Sequence, residues 1–248
     1  MHKQVEQAAG ALASARQTIA LTGAGISVES GIPPFRGKGG LWEKIDPMKY
    51  AHISAYERDP AEVWNVLFTA MMTDLEKAQP NKGHHGLFRL EQLGLLNTII
   101  TQNVDGLHQQ AGNQDVIEFH GTFASQSCMT CRQRIDSRRV DLAQLPPRCS
   151  CGGTLRPDVV MFGEPIDTAN LHRARILAST CDAMLVVGTS ATVEPAAYLP
   201  VIAKRSGATI VEINPNRTPL SDRISDITLL GPAGEMMRQL VAAVEQRR

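Results

Sequence analysis

The 248-residue sequence has no excess of charge: 25 lysines and arginines stand against 25 aspartates and glutamates, and the formal net charge is zero with its seven histidines neutral. That balance excludes nucleic-acid binding through a simple basic face, and 43% hydrophobic with 20% charged residues excludes a disordered solvating chain. Long hydrophobic runs are also missing. Stretches free of Asp, Glu, Lys and Arg reach only about a dozen residues, whereas a membrane span takes about 18 or more. The N-terminus lacks a basic head, an apolar block and a cleavage site, because Lys3, Glu6 and Arg16 alternate with alanines. The expectation is a cytoplasmic protein with neither a membrane nor a nucleic acid as direct partner. Cysteine is sparse and odd in number. Four of the five lie between positions 128 and 151, which suits a metal better than disulfides, and Cys181 stands alone.

What is present is a rhythm of short apolar strands. Thr18–Thr22, Leu96–Thr101, Val116–Phe119, Asp158–Phe162, Ala183–Val187, Thr209–Ile213 and Asp226–Leu230 read as strands, with helical patterns at Val5–Ala15, Asp167–Ser179, Pro195–Ser206 and Ala233–Gln246. Strands apolar on both faces and separated by helices imply a parallel sheet covered on both sides. The expected class is α/β, a Rossmann-like doubly wound sheet assembled from 1–42, 80–126 and 158–248. Two stretches break the rhythm: 43–79, where Pro60 opens a helix through Trp64, Phe68 and Met72, and 127–157, which is poor in apolar residues. These are expected to form a smaller lobe, helical in the first part and zinc-binding in the second.

The zinc expectation rests on Cys128 and Cys131, 17 intervening residues, then Cys149 and Cys151. Two close thiolate pairs supply a tetrahedral ion, and a quartet with no histidine and no open position reads as structural rather than catalytic. Four free or redox-active thiols are the alternative. Little between the pairs can make a core, so the metal has to hold that segment together.

Gly23-Ala24-Gly25-Ile26-Ser27 follows the first strand, where glycines let backbone approach a pyrophosphate. Val28 stands where the third glycine of the dinucleotide fingerprint would be, so an ordinary dehydrogenase is disfavoured and a plain tight turn remains open. Thr101-Gln102-Asn103-Val104-Asp105-Gly106-Leu107-His108 ends the second strand, where open sheets place ligand groups, and His120-Gly121 ends the third. An imidazole is neutral often enough near neutrality to accept a proton from a hydroxyl. Taken alone, His120 reads rather as a core or capping residue, Asp105 equally as a loop-structuring carboxylate, and His84-His85 as loop or helix-start residues.

In order along the chain, Gly23–Ser27, Ser30-Gly31-Ile32-Pro33 with Phe35-Arg36, Thr101–His108, His120-Gly121, the cysteine quartet, Val159–Glu164, Gly188-Thr189-Ser190 and Asn214-Pro215-Asn216 resemble the sirtuins, the NAD-dependent protein-lysine deacylases. The resemblance is to the prokaryotic type, and Phe35-Arg36-Gly37 resembles the loop of the branch that removes succinyl and malonyl groups. It implies an enzyme that consumes NAD and an acyl-lysine protein or peptide and yields nicotinamide, deacylated lysine and O-acyl-ADP-ribose. His120 and Asn103 then match the catalytic pair. Gly23, Ala24, Gly25, Ser27, Phe35, Arg36, Trp42, Gln102, Val104 and Asp105 match the nicotinamide-side NAD contacts. Gly188, Thr189, Ser190, Asn214, Pro215, Asn216 and Ala233 match the adenosine side. Val160, Met161, Phe162, Gly163 and Glu164 match a strand that pairs with the substrate backbone.

Pro34 departs from the family pattern and stiffens the cofactor loop while removing an amide donor. Leu67 and Ala70 stand where the desuccinylase branch carries tyrosine and arginine, and no arginine occurs between Arg58 and Arg89. The reading is therefore an apolar acyl pocket including Leu67, with acetyl as the default group. The rival readings are an ADP-ribosyltransferase or NAD glycohydrolase using the same site, and a non-catalytic reader of acyl-lysine.

Overall fold

A computed structural model of the protein describes residues 2–37 and 39–247; Met1, Lys38 and Arg248, which the expected domain limits and cofactor loop include, lie outside the described residues. Helix α1 (His2–Ser14) leads into β1 (Thr18–Thr22). A run of short helices follows: α2 (Leu41–Lys44), α3 (Pro47–Tyr50), α4 (Ile53–Arg58), α5 (Pro60–Val63) and α6 (Thr69–Lys77), with a π-helical stretch at Trp64–Phe68. Asp59 caps α5 by accepting from Glu62 N–H, and Pro60 occupies the first turn, where its missing N–H costs nothing. Next come α7 (Lys82–Gln92), β2 (Thr98–Thr101), α8 (Leu107–Ala111), β3 (Val116–Glu118), β4 (Gly121–Cys128), β5 (Arg134–Asp136) and β6 (Leu155–Val159). The chain closes with α9 (Thr168–Thr180), β7 (Ala183–Val187), α10 (Leu199–Arg205), β8 (Thr209–Asn214), β9 (Ile227–Leu230) and α11 (Ala233–Glu245).

Six strands form one parallel sheet in the order β3-β2-β1-β7-β8-β9. Its strands bury both faces by alternation. Ala20, Leu185, Val187, Val211 and Ile213 pack under α1, α7 and α11 with Leu12, Leu90 and Leu240. Ile19, Leu21, Met184, Val186 and Ile210 pack on the other face against Ala174 and Ala178 of α9 and Leu199 and Ala203 of α10. Each fully buried Leu or Ile here is worth about 1.5–3 kcal/mol of transfer free energy. The strand order reverses between β1 and β7, so the loops leaving their carboxyl ends diverge and open a crevice.

One expected strand is misplaced by the sequence reading. Asp158–Phe162 does not join the large sheet: β6 runs from Leu155 to Val159 and pairs antiparallel with β4, which also pairs with β5 in a separate three-stranded sheet. From Val160 onward the backbone leaves the ladder, because Val160 N–H donates to His120 C=O and Phe162 pairs with Ala51 and Ile53. This small sheet starts before position 127 and ends after 157. Over it lie Tyr56, Trp64 and Phe68, with the Tyr56 hydroxyl (3.2 Å) and Trp64 indole N–H (3.0 Å) both donating to Leu155 C=O.

At the crevice, backbone meets backbone. Gly25 N–H donates to Gly188 C=O at 2.7 Å, and a Cβ on Gly188, whose φ is +63°, would come within 2.2 Å of Ile26 N. Gly31 also has positive φ (+88°) but faces open space. Gly31→Ala should therefore cost about 1 kcal/mol, the backbone term alone, while Gly188→Ala adds steric overlap and should cost about 3 kcal/mol or more. Urea unfolding of the two variants checks the difference; equal losses would show that the contact is not tight.

Candidate active site

The carboxyl ends of β1, β2, β3 and β7 deliver the polar groups. After β1, Gly23 N–H donates to Val187 C=O (3.1 Å), and the chain turns through Ala24–Ile26 and Val28–Ser30. After β2, the Gln102 amide donates to Thr189 Oγ1 (2.9 Å), and the Asn103 amide donates to Gly23 C=O (3.3 Å) and Ser27 Oγ (3.1 Å). The Ser27 hydroxyl donates to Asp105 Oδ2 at 2.7 Å, and Asp105 Oδ1 accepts Leu107 N–H at 3.0 Å. Burial pushes the Asp105 carboxyl above its ordinary range, opposed by these two donors. Asn103 and Ser27 are thus fixed from two sides.

His120 follows β3. Its Nδ1 lies 3.1 Å from Gln102 C=O, and a carbonyl can only accept, so Nδ1 carries the proton and Nε2 keeps its lone pair. Burial lowers the pKa of this ring, opposed by the bond to Gln102, which leaves it neutral near pH 7. The result is an oriented base with its acceptor nitrogen free of partners among the described residues.

Ala24, Ser27, Ile32, Pro33, Phe35, Leu41, Met71, Asp74, Leu75, Asn103, Val104 and Asp105 line one cleft beside these groups. Phe35 stacks on Trp42 (ring centroids 5.2 Å), and Trp42 lies 6.4 Å from Phe162. Leu67 does not line this cleft. It is 3% exposed in the apolar layer with Trp64 and Phe123, and Met71, one turn further on, supplies the wall. On the other side of the crevice, the Asn214 amide donates to Thr189 C=O (3.0 Å), Ser190 is exposed next to it, and Pro215 and Asn216 stand exposed at the end of β8. Ala233 opens α11 and is buried. Gly23, Gly25 and Gly188 leave no room for a Cβ, because the loops after β1 and β7 pack backbone against backbone there.

Far from this crevice, the four cysteine Sγ atoms lie within 4.8 Å of one another, with Cys128–Cys151 at 3.5 Å and Cys131–Cys149 at 3.7 Å. Four sulfurs each about 2.3 Å from a tetrahedral zinc ion stand about 3.8 Å apart. The quartet is positioned to bind a zinc ion. The Cys131 and Thr130 N–H groups point at Cys128 Sγ and lower its thiol pKa, which favours the thiolate at this position.

A family model described as the Sir2 family matches residues 23–195. The chain belongs to the Sir2 family. The NAD-dependent protein deacylase of Aeropyrum pernix is 46% identical over 241 residues, covering 97% of each chain. A Sir2 homologue mutant in complex with ADP-ribose has a TM-score of 0.93 at 42% identity, covering 97% of this chain and 96% of that one. A Sir2 mutant with a deacetylated p53 peptide and 3'-O-acetyl-ADP-ribose has a TM-score of 0.89 at 35% identity, covering 94% and 96%.

Behind the crevice, this Sir2 chain carries polar residues that the sequence reading did not assign to the site. Thr22 Oγ1 donates to Thr101 Oγ1 (2.8 Å) and lies 2.9 Å from His108 Nε2. The His108 ring packs on His84 (centroids 5.0 Å), and His84 Nε2 faces Ser27 Oγ at 3.5 Å. His84 does start a helix, in a capping box with Asn81, as its position before Gly86 suggested; its burial was not legible. Glu212 of β8, fully buried, accepts from Ser221 and Ser225 (2.8 Å each), Thr218 and Asn214, and so ties down the turn that carries Asn214 and Asn216. A period-2 pattern marks Glu212 only as a strand residue.

Two consequences are measurable. Burial holds His84 at about 4 and His108 well below the ordinary 6.5, so both are neutral in the fold and protonate more readily when unfolded. Stability is then full above pH 6.5 and falls as the pH drops toward 4, by about 3 kcal/mol through His84 alone. Urea-unfolding free energies between pH 7 and 4 should show this slope, and His84→Asn should flatten it; an unchanged slope would exclude His84 as its source. For the quartet, Cys151→Ser or prolonged chelation should release zinc, read by elemental analysis, and lower Tm. A wild-type protein purified without zinc and equally stable would overturn the assignment.

Proposed function

We propose that this protein is an NAD-dependent protein-lysine deacylase that releases nicotinamide, free lysine and O-acyl-ADP-ribose. The observation that carries this reading is the oriented, neutral His120 after the edge strand β3, held on Gln102 C=O at the end of β2, whose loop also carries Asn103 and Asp105 and which neighbours the reversal between β1 and β7. NAD, when bound, supplies an electrophilic ribose carbon and nicotinamide as leaving group. Asn103 and Ser27 orient groups around that ribose, Asp105 holds the carboxamide, and His120 Nε2 takes the proton of a ribose hydroxyl that must attack the acyl carbon. Gly23, Ala24, Gly25, Phe35, Arg36, Trp42, Gln102 and Val104 cradle the nicotinamide half. Gly188, Thr189, Ser190, Asn214, Pro215, Asn216 and Ala233 take the adenosine half.

Val160–Glu164 offers its backbone to the peptide, with Phe162 exposed beside Trp42. In this reading the large sheet and its helices form the NAD-binding lobe, and 43–79 with 127–157 form the small lobe held by one structural zinc. The acyl group is apolar and acetyl by default. No arginine occurs between Arg58 and Arg89, where the succinyl-removing branch carries one, so a succinyl carboxylate finds no guanidinium on this helix. Acyl-lysine proteins are the partners, without direct nucleic-acid or membrane contact, in the cytoplasm. No helix among the described residues is long and apolar enough to cross a membrane.

Mass spectrometry of acetyl-, myristoyl- and succinyl-lysine peptides, each with and without NAD, tests the proposal. Loss of acetyl only with NAD, together with an acyl-ADP-ribose product, is expected, with succinyl the poorest substrate. Intact peptides with free nicotinamide would move the reading to NAD hydrolysis or ADP-ribosyl transfer. His120→Ala should lower turnover by about 10²–10⁴-fold, the usual worth of a general base, and the acid limb of the wild-type rate profile should lie below pH 6.5 because burial depresses this ring. An acid limb above 6.5 would contradict a neutral His120.

A further inference from the structure

The turn after β6 is closed by one side chain. Glu164 Oε2 accepts Met161 N–H at 2.9 Å, Glu164 N–H donates to Met161 C=O at 3.0 Å, and Glu164 Oε1 accepts Arg156 Nη1 at 2.9 Å. Arg156 comes from β6, and its guanidinium lies 5.6 Å from the centroid of the Tyr56 ring. With side chains 14% and 21% exposed, this is the most enclosed ion pair among the described residues, unlike the solvated pairs around the surface. Exposed pairs contribute little, but removing one partner of an enclosed pair leaves a charge without compensation.

The segment so held touches both halves of the site. Val160 N–H donates to His120 C=O (2.9 Å), Phe162 N–H donates to Ala51 C=O (2.9 Å), and Ile53 N–H donates to Phe162 C=O (2.9 Å). With Met161 occupied by Glu164, the groups left without a partner among the described residues are Val160 C=O and the N–H and C=O of Gly163. An added strand needs such groups fixed in advance, because ordering them on binding would reduce affinity.

We infer that Arg156 and Glu164 form a positioning pair that presets Val160–Gly163 for the acyl-lysine backbone and thereby sets peptide affinity, without touching the reacting atoms. The inference rests on the functional reading above, in which this segment receives the peptide. Removing the guanidinium frees the Glu164 carboxylate from its second anchor and loosens the turn; a lysine at 156 restores a donor and a charge at shorter reach.

The test compares wild type with Arg156→Met, Arg156→Lys and Glu164→Gln. It measures acetyl-lysine peptide Kd by fluorescence anisotropy, NAD Kd by calorimetry, steady-state KM and kcat, Tm and zinc content. Arg156→Met should raise peptide Kd and KM at least fivefold, with NAD Kd within twofold and zinc retained. Arg156→Lys should recover most of the loss, and Arg156→Met combined with Glu164→Gln should be no worse than the more severe single change. Unaltered peptide Kd in Arg156→Met would overturn the inference while leaving deacylation by the wild type intact. A fall in peptide and NAD affinity together with Tm, also in Arg156→Lys, would reduce the pair to a structural role and overturn it equally. A wild type that binds the peptide but never deacylates it would overturn the functional reading, leaving the pair to be decided by the Kd values alone.

Discussion

The site depends on a backbone-to-backbone contact between Gly25 and Gly188. Parallel strands β1 and β7 are neighbours, yet the chain leaves them in opposite directions, so their loops would diverge and leave a wide cleft floor. The absence of side chains at both positions lets Gly25 N–H reach Gly188 C=O, which joins the two loops into one surface. Everything polar is then hung on that joint: Gln102 on Thr189, Asn214 on Thr189, Asn103 on Gly23, and His120 on Gln102. Shifting the joint would misalign five strand ends at once. This is why a sheet that could pack with many loop conformations presents one site.

The small sheet has no comparable hydrophobic reason to exist. Its own core is Cys128, Cys149 and Leu155 with Ile135 and Val140 against it, far too little apolar surface to order three strands. Four converging thiols supply the missing cohesion through a metal. The helical layer contributes the rest, since Tyr56 and Trp64 both spend their polar hydrogens on Leu155 C=O and bury their rings beside Phe68 and Phe123. β6 is thus gripped on one side by the quartet and on the other by aromatic rings, and Val160–Glu164 grows from its end.

What the sequence disclosed followed from how each element is buried. β1, β2, β7 and β8 are enclosed on both faces, so their apolar runs stand out, and the ligand-bearing residues follow directly at their ends. β4 and β6 were obscured. Gly121–Cys128 is polar with a register shift between Thr122 and Gln126, and Leu155–Val159, although it buries Leu155, Pro157 and Val159 in alternation, is only five residues long with a proline at its centre, so neither offers a clear strand signal. Without that signal, the apolar string Val159–Phe162 was drawn into the wrong sheet. The cysteine quartet was legible because two close thiol pairs have a chemical reason to converge on a metal.

Three histidines near the crevice show how burial assigns roles that residue type does not. His84 and His108 have rings enclosed at 0% and 1% exposure, packed on each other at a 59° tilt and facing Ser27 and Thr22; they are neutral because burial removes the water that would solvate the charged form. Such rings can orient hydroxyls but cannot take up and return a proton, since neither reaches solvent. His120 differs in one respect that decides the matter. Its Nδ1–H is spent on Gln102 C=O, so the tautomer is fixed, and its ring is only partly enclosed, so the other nitrogen remains open to proton exchange. A base must be held firmly enough to be aligned and loosely enough to be reached. Of the three, only His120 satisfies both conditions, and it does so through a backbone carbonyl at the end of β2, the strand that also delivers Asn103 and Asp105.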